Sequence, residues 1–123
     1  MKKLIILLAI LLSSINASAT DYKAVRLNFR NVGYQWVGWQ QTNIDIAWDY
    51  DSRKLVIYSD EVQVIDYWNI KESYSNGVTM YTMNADDTQN HRLILQIYVY
   101  NNGGAYIKML YSNVEYKYEL RSL

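Results

Sequence analysis

From Arg92 to Tyr100 the chain alternates without a break: Leu93, Leu95, Ile97 and Val99 share one parity, and Ile94, Gln96, Tyr98 and Tyr100 share the other. Such two-residue alternation marks a strand with one face in a core. It continues downstream, where Ala105, Ile107, Met109 and Tyr111 alternate with Tyr106, Lys108, Leu110 and Ser112. Val114, Tyr116, Tyr118 and Leu120 then alternate with Glu115, Lys117, Glu119 and Arg121. Core residues must meet core residues across each ladder, and a slip of one residue turns every side chain to the wrong face. Loop lengths follow from that constraint. If Val99 and Ile107 both face inward, their connection is odd, which fits three residues from Asn101-Asn102-Gly103-Gly104 with a glycine in the left-handed conformation. Tyr106 then lies opposite Tyr98 or Tyr100 on the outer side. Between Tyr111 and Val114 the inward parity changes, so the turn is the even pair Ser112-Asn113. The same register sets Lys108 opposite Lys117, an unfavourable juxtaposition of like charges.

Upstream segments follow the same rule. Ile44, Ile46 and Trp48 alternate with Asp45, Ala47 and Asp49, and a turn at Tyr50 to Arg53 brings Trp48 opposite Leu55 and Asp49 opposite Lys54. Val25, Leu27 and Phe29 alternate with Arg26, Asn28 and Arg30 in a first strand. Val62 to Ile70 and Val78 to Met83 supply two more, with a turn in Ser73 to Gly77 and mixed parity in Val62 to Ile70 that predicts a bulge. No helical period competes, and the chain contains no proline. These features define an all-β fold, an antiparallel up-and-down meander of seven or eight strands forming a small barrel or sandwich. The barrel is preferred because every connection reads as a hairpin.

Residues 1–19 read as a signal peptide and 20–123 as a single all-β domain. Lys2 and Lys3 precede an apolar run from Leu4 to Leu12, and Ala17-Ser18-Ala19 supplies small residues for cleavage before Thr20. That run is far shorter than the roughly 20 residues of a spanning helix. The expectation is therefore an exported protein of the periplasm, cell surface or extracellular space, with no membrane span. An outer-membrane barrel would need an apolar outward band, whereas one face of the last strand is Glu115, Lys117, Glu119 and Arg121. Without Lys2 and Lys3 the 12 Lys and Arg become 10, against 12 Asp and Glu, for a formal charge of −2. Nucleic acid is excluded as a partner on that balance. The sequence contains no cysteine, so the domain must be held by packing alone.

Catalytic patterns are missing. The single histidine, His91, stands beside the acidic loop Asp86-Asp87 with no nucleophile motif around any serine, and reads as an exposed turn residue. Asp86 and Asp87 lack the spacing of a calcium loop. Asp49 with Asp51 and Asp60 with Glu61 sit in turns, where carboxylates hold backbone amides in water. The expectation is no enzyme, no metal and no cofactor, with a small hydrolase kept only as a reading to exclude.

Aromatic content stands out instead, with 13 tyrosines, 4 tryptophans and 1 phenylalanine, all after residue 19. Parity places Tyr58, Tyr98, Tyr100 and Tyr106 outward. An outer tyrosine row can be structural, because the ring covers backbone and the hydroxyl stays wet. The same rings serve binding surfaces. Within Gly33-Tyr34-Gln35-Trp36-Val37-Gly38-Trp39, the tryptophans are three apart and would face opposite sides of a regular strand. Glycines 33 and 38 predict an irregular segment there, and Trp48 belongs to the core. The candidate ligand-binding residues are therefore Trp36, Trp39, Tyr98, Tyr100 and Tyr106.

The order Trp36-x-x-Trp39, Ile44-x-Ile46, Lys54 to Ser59 (KLVIYS), Asp86-Asp87, Ile107 to Asn113 (IKMLYSN) and Tyr116 to Leu120 (YKYEL) resembles small exported all-β proteins of gut Bacteroidetes. That resemblance implies a lipocalin-like or related small barrel and no activity; this chain lacks the cysteines that members often carry near the acidic hairpin. The expected function is an exported binding module for a glycan, a small apolar ligand or a protein. The alternative is a periplasmic or surface assembly protein that pairs through edge strands. Oligomeric state is left open by the sequence.

Overall fold

A computed structural model describes residues 20–122, and the expected signal peptide lies outside them. The strands are β1 (Thr20–Asn31), β2 (Gln40–Asp49), β3 (Lys54–Tyr58), β4 (Val62–Ser75), β5 (Val78–Asp86), β6 (Arg92–Tyr100), β7 (Ala105–Leu110) and β8 (Val114–Ser122). Each pairs antiparallel with the next, and β8 returns to β1, closing an eight-stranded up-and-down barrel. The β1–β8 ladder, from Tyr22 opposite Ser122 to Asn31 opposite Val114, makes it a barrel rather than a sandwich.

The hairpins obey the register derived from the sequence. Tyr98 lies opposite Tyr106. The Tyr100 N–H donates to the Gly104 carbonyl at 2.9 Å and closes a three-residue loop, Asn101 to Gly103, in which Gly103, at φ 92°, donates its N–H to the Tyr100 carbonyl at 3.0 Å. Ser112-Asn113 joins β7 to β8, where the Tyr111 N–H donates to the Val114 carbonyl at 2.9 Å. Trp48 meets Leu55 and Asp49 meets Lys54. Asn76 and Gly77, at φ 52° and 80°, form the two-residue turn that matches strand twist between β4 and β5.

Two strands depart from simple alternation. In β1 the register shifts between Ala24 and Arg26 against both neighbours, so Tyr22 and Ala24 are in the core before the bulge and Leu27 packs on the core after it. Val25, expected to share a face with Leu27 and Phe29, is the bulge residue. Local alternation cannot reveal this, because the bulge reconciles β1 with two different partners. In β4 the shift falls between Trp68 and Lys71, with Asn69 at φ 56°. Ile65 and Tyr67 face the core, while Val62 and Val64 pack outside it against Ala47 and Val56. The mixed parity of this segment thus has two causes, a bulge and a second apolar cluster on the outer surface.

Side chains fill the barrel. Ile46, Leu55, Ile57, Ile65, Leu95 and Ile107 are at most 1 % exposed. An eight-stranded barrel is just wide enough for that. At one end Trp48 packs edge-on against Tyr81 at 5.2 Å and donates its indole N–H to the Tyr67 hydroxyl at 2.9 Å. Tyr67 in turn donates to the Asp49 carbonyl at 3.2 Å. Asp49 departs from the expectation of a solvated turn carboxylate: it accepts the Ser52 N–H at 3.1 Å as expected, but it is 1 % exposed.

Burial pushes the phenols of Tyr67 and Tyr118 up to about 12, and that of Tyr111 upward as well, from an ordinary 10.0. A raised folded-state value means that stability is complete below pH 10.0 and is lost as pH rises toward 12. Loss of near-ultraviolet circular dichroism should therefore coincide with tyrosinate absorbance across that window. Tyr118→Phe should move the transition to higher pH; an unchanged midpoint would remove Tyr118 from the account.

Candidate functional site

Closure of the barrel puts the outward side chains of β6, β7, β8 and β1 on one continuous surface. Three rows cross it. Tyr98, Tyr106, Glu119 and Arg26 form one row; Gln96, Lys108, Lys117 and Asn28 form the next; Ile94, Leu110, Glu115 and Arg30 form the third. In the outer rows cation meets anion. Arg26 pairs with Glu119, and the Arg30 guanidinium donates to Glu115 Oε1 at 3.0 and 3.2 Å. In the middle row two ammonium groups meet each other, as the loop parity requires.

The segment between β1 and β2 folds back over this surface. After a turn in which the Tyr34 N–H donates to the Asn31 carbonyl, Val37 donates to the Phe29 carbonyl at 2.9 Å. Gly38, at φ 122°, donates its N–H to Asn28 Oδ1 at 2.9 Å. This bond explains why Asn28, on the outer face, is only 6 % exposed. A side chain other than glycine rarely adopts that backbone conformation. With the strand alternation broken at Gly38, both indoles lie on the outer face. Trp36 takes the Lys117 ammonium at 4.1 Å and the Arg30 guanidinium at 4.7 Å from its ring centre. Trp39 takes Arg26 at 4.8 Å and packs against Tyr106 at 6.4 Å.

Tyr100 completes the group edge-on to Tyr106 at 5.6 Å, and the Lys108 ammonium sits 5.2 Å from the Tyr98 ring centre. Trp39, Tyr98, Tyr100, Tyr106, Lys108 and Lys117 line a shallow groove of about 240 Å³. Burial, then the neighbouring Lys108 and Arg30, lowers the Lys117 ammonium below the ordinary lysine value, with Glu115 acting in the opposite direction. Burial, with Tyr106 and Tyr98 nearby, raises the Tyr100 phenol.

The structure thus gathers all five sequence candidates: four line the groove and Trp36 flanks it. Sequence reasoning missed Arg26, Arg30, Lys108 and Lys117 as members of the site. The signal for the lysines was present as the like-charge pair, which read as a defect of register and not as chemistry.

The other candidate groups are engaged structurally. Asp87 accepts N–H bonds from Gln89 and His91 and the Tyr111 hydroxyl, each at 2.9 Å, and so organises the β5–β6 loop. His91 is exposed beside it, 3.5 Å from Asp87 Oδ2. A recess of about 410 Å³ lies at this barrel mouth, lined by Glu61, Gln63, Asp87, Thr88 and Tyr111 among others. Among the described residues no group of three or more acidic or histidine side chains is placed to hold a metal ion. Compared with protein-family models, curated proteins and solved structures, the chain matches none.

Trp39 is 39 % exposed and Trp48 only 8 %. Acrylamide should therefore quench an emission component that disappears in Trp39→Phe and survives in Trp48→Phe. Equal accessibility of the two indoles would contradict the described arrangement.

Proposed function

We propose that the protein is an exported, non-enzymatic binding module whose outer aromatic face holds a glycan. The observation that carries this reading is the convergence of Trp39, Tyr98, Tyr100 and Tyr106 on one open groove. Aromatic faces carry partial negative charge and attract the polarised C–H groups of a sugar ring, while the tyrosine hydroxyls offer hydrogen bonds at the rim. Three of the four rings stand on paired strands, so little conformational freedom is lost on binding. An open groove suits an extended chain. Core side chains fill the interior below the mouth recess, and that recess is lined by Glu61, Gln63, Asp87 and Thr88 as well as by Met109 and Tyr118, a polar rim that disfavours a small apolar ligand there. Export rests on the charged, apolar and small-residue pattern of residues 2–19, and the resemblance to small exported barrels agrees with it.

Titration of the protein with a panel of polysaccharides should change tryptophan emission. Trp39→Ala or Tyr106→Ala should each weaken binding about three- to tenfold, the range for loss of one aromatic contact, and Trp48→Phe should leave it unchanged. A flat response to every polysaccharide would remove the glycan reading.

A second reading, assembly through an edge strand, is favoured by β4. β3 begins, at Lys54, opposite Asp66, and among the described residues no strand pairs with the other side of Trp68 to Ser75. Alternate backbone N–H and C=O groups there are open to strand addition. If that edge is used, cross-linking should yield a dimer or partner complex that Glu72→Pro abolishes; a strictly monomeric profile at high concentration would exclude it.

A further inference from the structure

Six charged side chains stand on the aromatic face, and four neutralise one another as Arg26 with Glu119 and Arg30 with Glu115. Lys108 and Lys117 remain, directly opposite across the β7–β8 ladder, and among the described residues neither has a carboxylate within ion-pair distance. Like charges in that position oppose pairing. Each ammonium lies instead over a ring, Lys108 over Tyr98 and Lys117 over Trp36. A ring face offsets charge but leaves the three N–H donors of an ammonium without a strong acceptor. Both lysines nevertheless line the groove beside Trp39, Tyr98, Tyr100 and Tyr106.

Resting on the glycan reading above, we infer that the ligand is an anionic saccharide whose carboxylate or sulfate group binds Lys108 and Lys117 while a sugar ring stacks on the Trp39 and Tyr106 surface. The oxyanion supplies the acceptors the ammonium groups lack and removes their mutual repulsion, and bonds between ionised partners are the strong class. Partial burial of Lys117 beside Lys108 and Arg30 strengthens the demand for an anion at that point. A polynucleotide is a poor match, because two unpaired cations on a nearly neutral chain cannot track a phosphate backbone.

The test is a set of binding titrations with dextran, dextran sulfate, polygalacturonate and poly-glutamate, using the wild-type protein, K108Q/K117Q and K108R/K117R. Dextran sulfate or polygalacturonate should bind more tightly than dextran, and that advantage should fall as salt rises. K108Q/K117Q should lose at least about tenfold in affinity for the charged saccharide, the scale of one hydrogen bond to an ionised group. Its affinity for dextran should fall by much less, so that the preference for the charged saccharide disappears, and K108R/K117R should retain the charged ligand. Which of the two charged polymers binds identifies the oxyanion.

If dextran binds as well as the charged polymers and K108Q/K117Q changes nothing, the anion inference falls and the glycan reading stands. If no saccharide binds, both fall. Poly-glutamate binding as tightly as the saccharides would overturn the role assigned to the sugar ring. Should K108Q/K117Q fold poorly by circular dichroism, the salt dependence of the wild type and the affinity of K108R/K117R decide the question, because absence of either effect is fatal to it.

Discussion

Pairing of β1 with β8 is the interaction on which the rest of the molecule depends. It converts a meander with two open edges into a cylinder, and a cylinder of eight strands has room inside for one set of side chains and little else. Most inward positions are then committed to packing, so the opposite parity is fixed on the outer face of the cylinder. The same ladder brings Arg26 to Glu119 and Arg30 to Glu115, which anchors the charged side chains over which the two indoles lie. Without closure, the aromatic residues of β6 and β7 and the tryptophans before β2 would belong to opposite ends of a sheet.

The bulge at Val25 accommodates that closure. β1 must serve β2 on one side and β8 on the other, and its register shifts against both at the same place. The core then receives Ala24 and Leu27 from one strand, although they have opposite parity. Beyond the bulge, Asn28 turns outward, where its side chain accepts the Gly38 N–H and tethers the tryptophan segment. Packing inside the barrel and the geometry of the groove outside it are thus connected through one irregular residue.

Hairpins were the most legible part of the fold. The three-residue Asn101–Gly103 loop, the Ser112-Asn113 turn and the Tyr50–Arg53 turn each follow from the parity of the flanking apolar residues, because core must oppose core within a few residues of chain. The bulge in β1 was illegible, since Val25, Leu27 and Phe29 alternate as a regular strand would. Ala47, Val56, Val62 and Val64 misled for a different reason: they form a small apolar cluster outside the barrel, and parity assumes a single core. Asp49 was misjudged because a turn carboxylate is solvated only if nothing packs over it.

For the candidate site, parity alone put Tyr98, Tyr100 and Tyr106 on one outer surface, and even the opposition of Lys108 to Lys117 could be read from loop lengths. Local alternation is a property of covalent order, so the sequence by itself determined which side chains point in and which point out along the β2–β3, β6–β7 and β7–β8 hairpins. Closure of β8 on β1, the fold-back of Trp36 and Trp39, and the union of aromatic and cationic groups in one groove were decided by tertiary structure. Those contacts join residues up to about a hundred positions apart, as Tyr22 opposite Ser122 shows, and no local periodicity carries information over that separation.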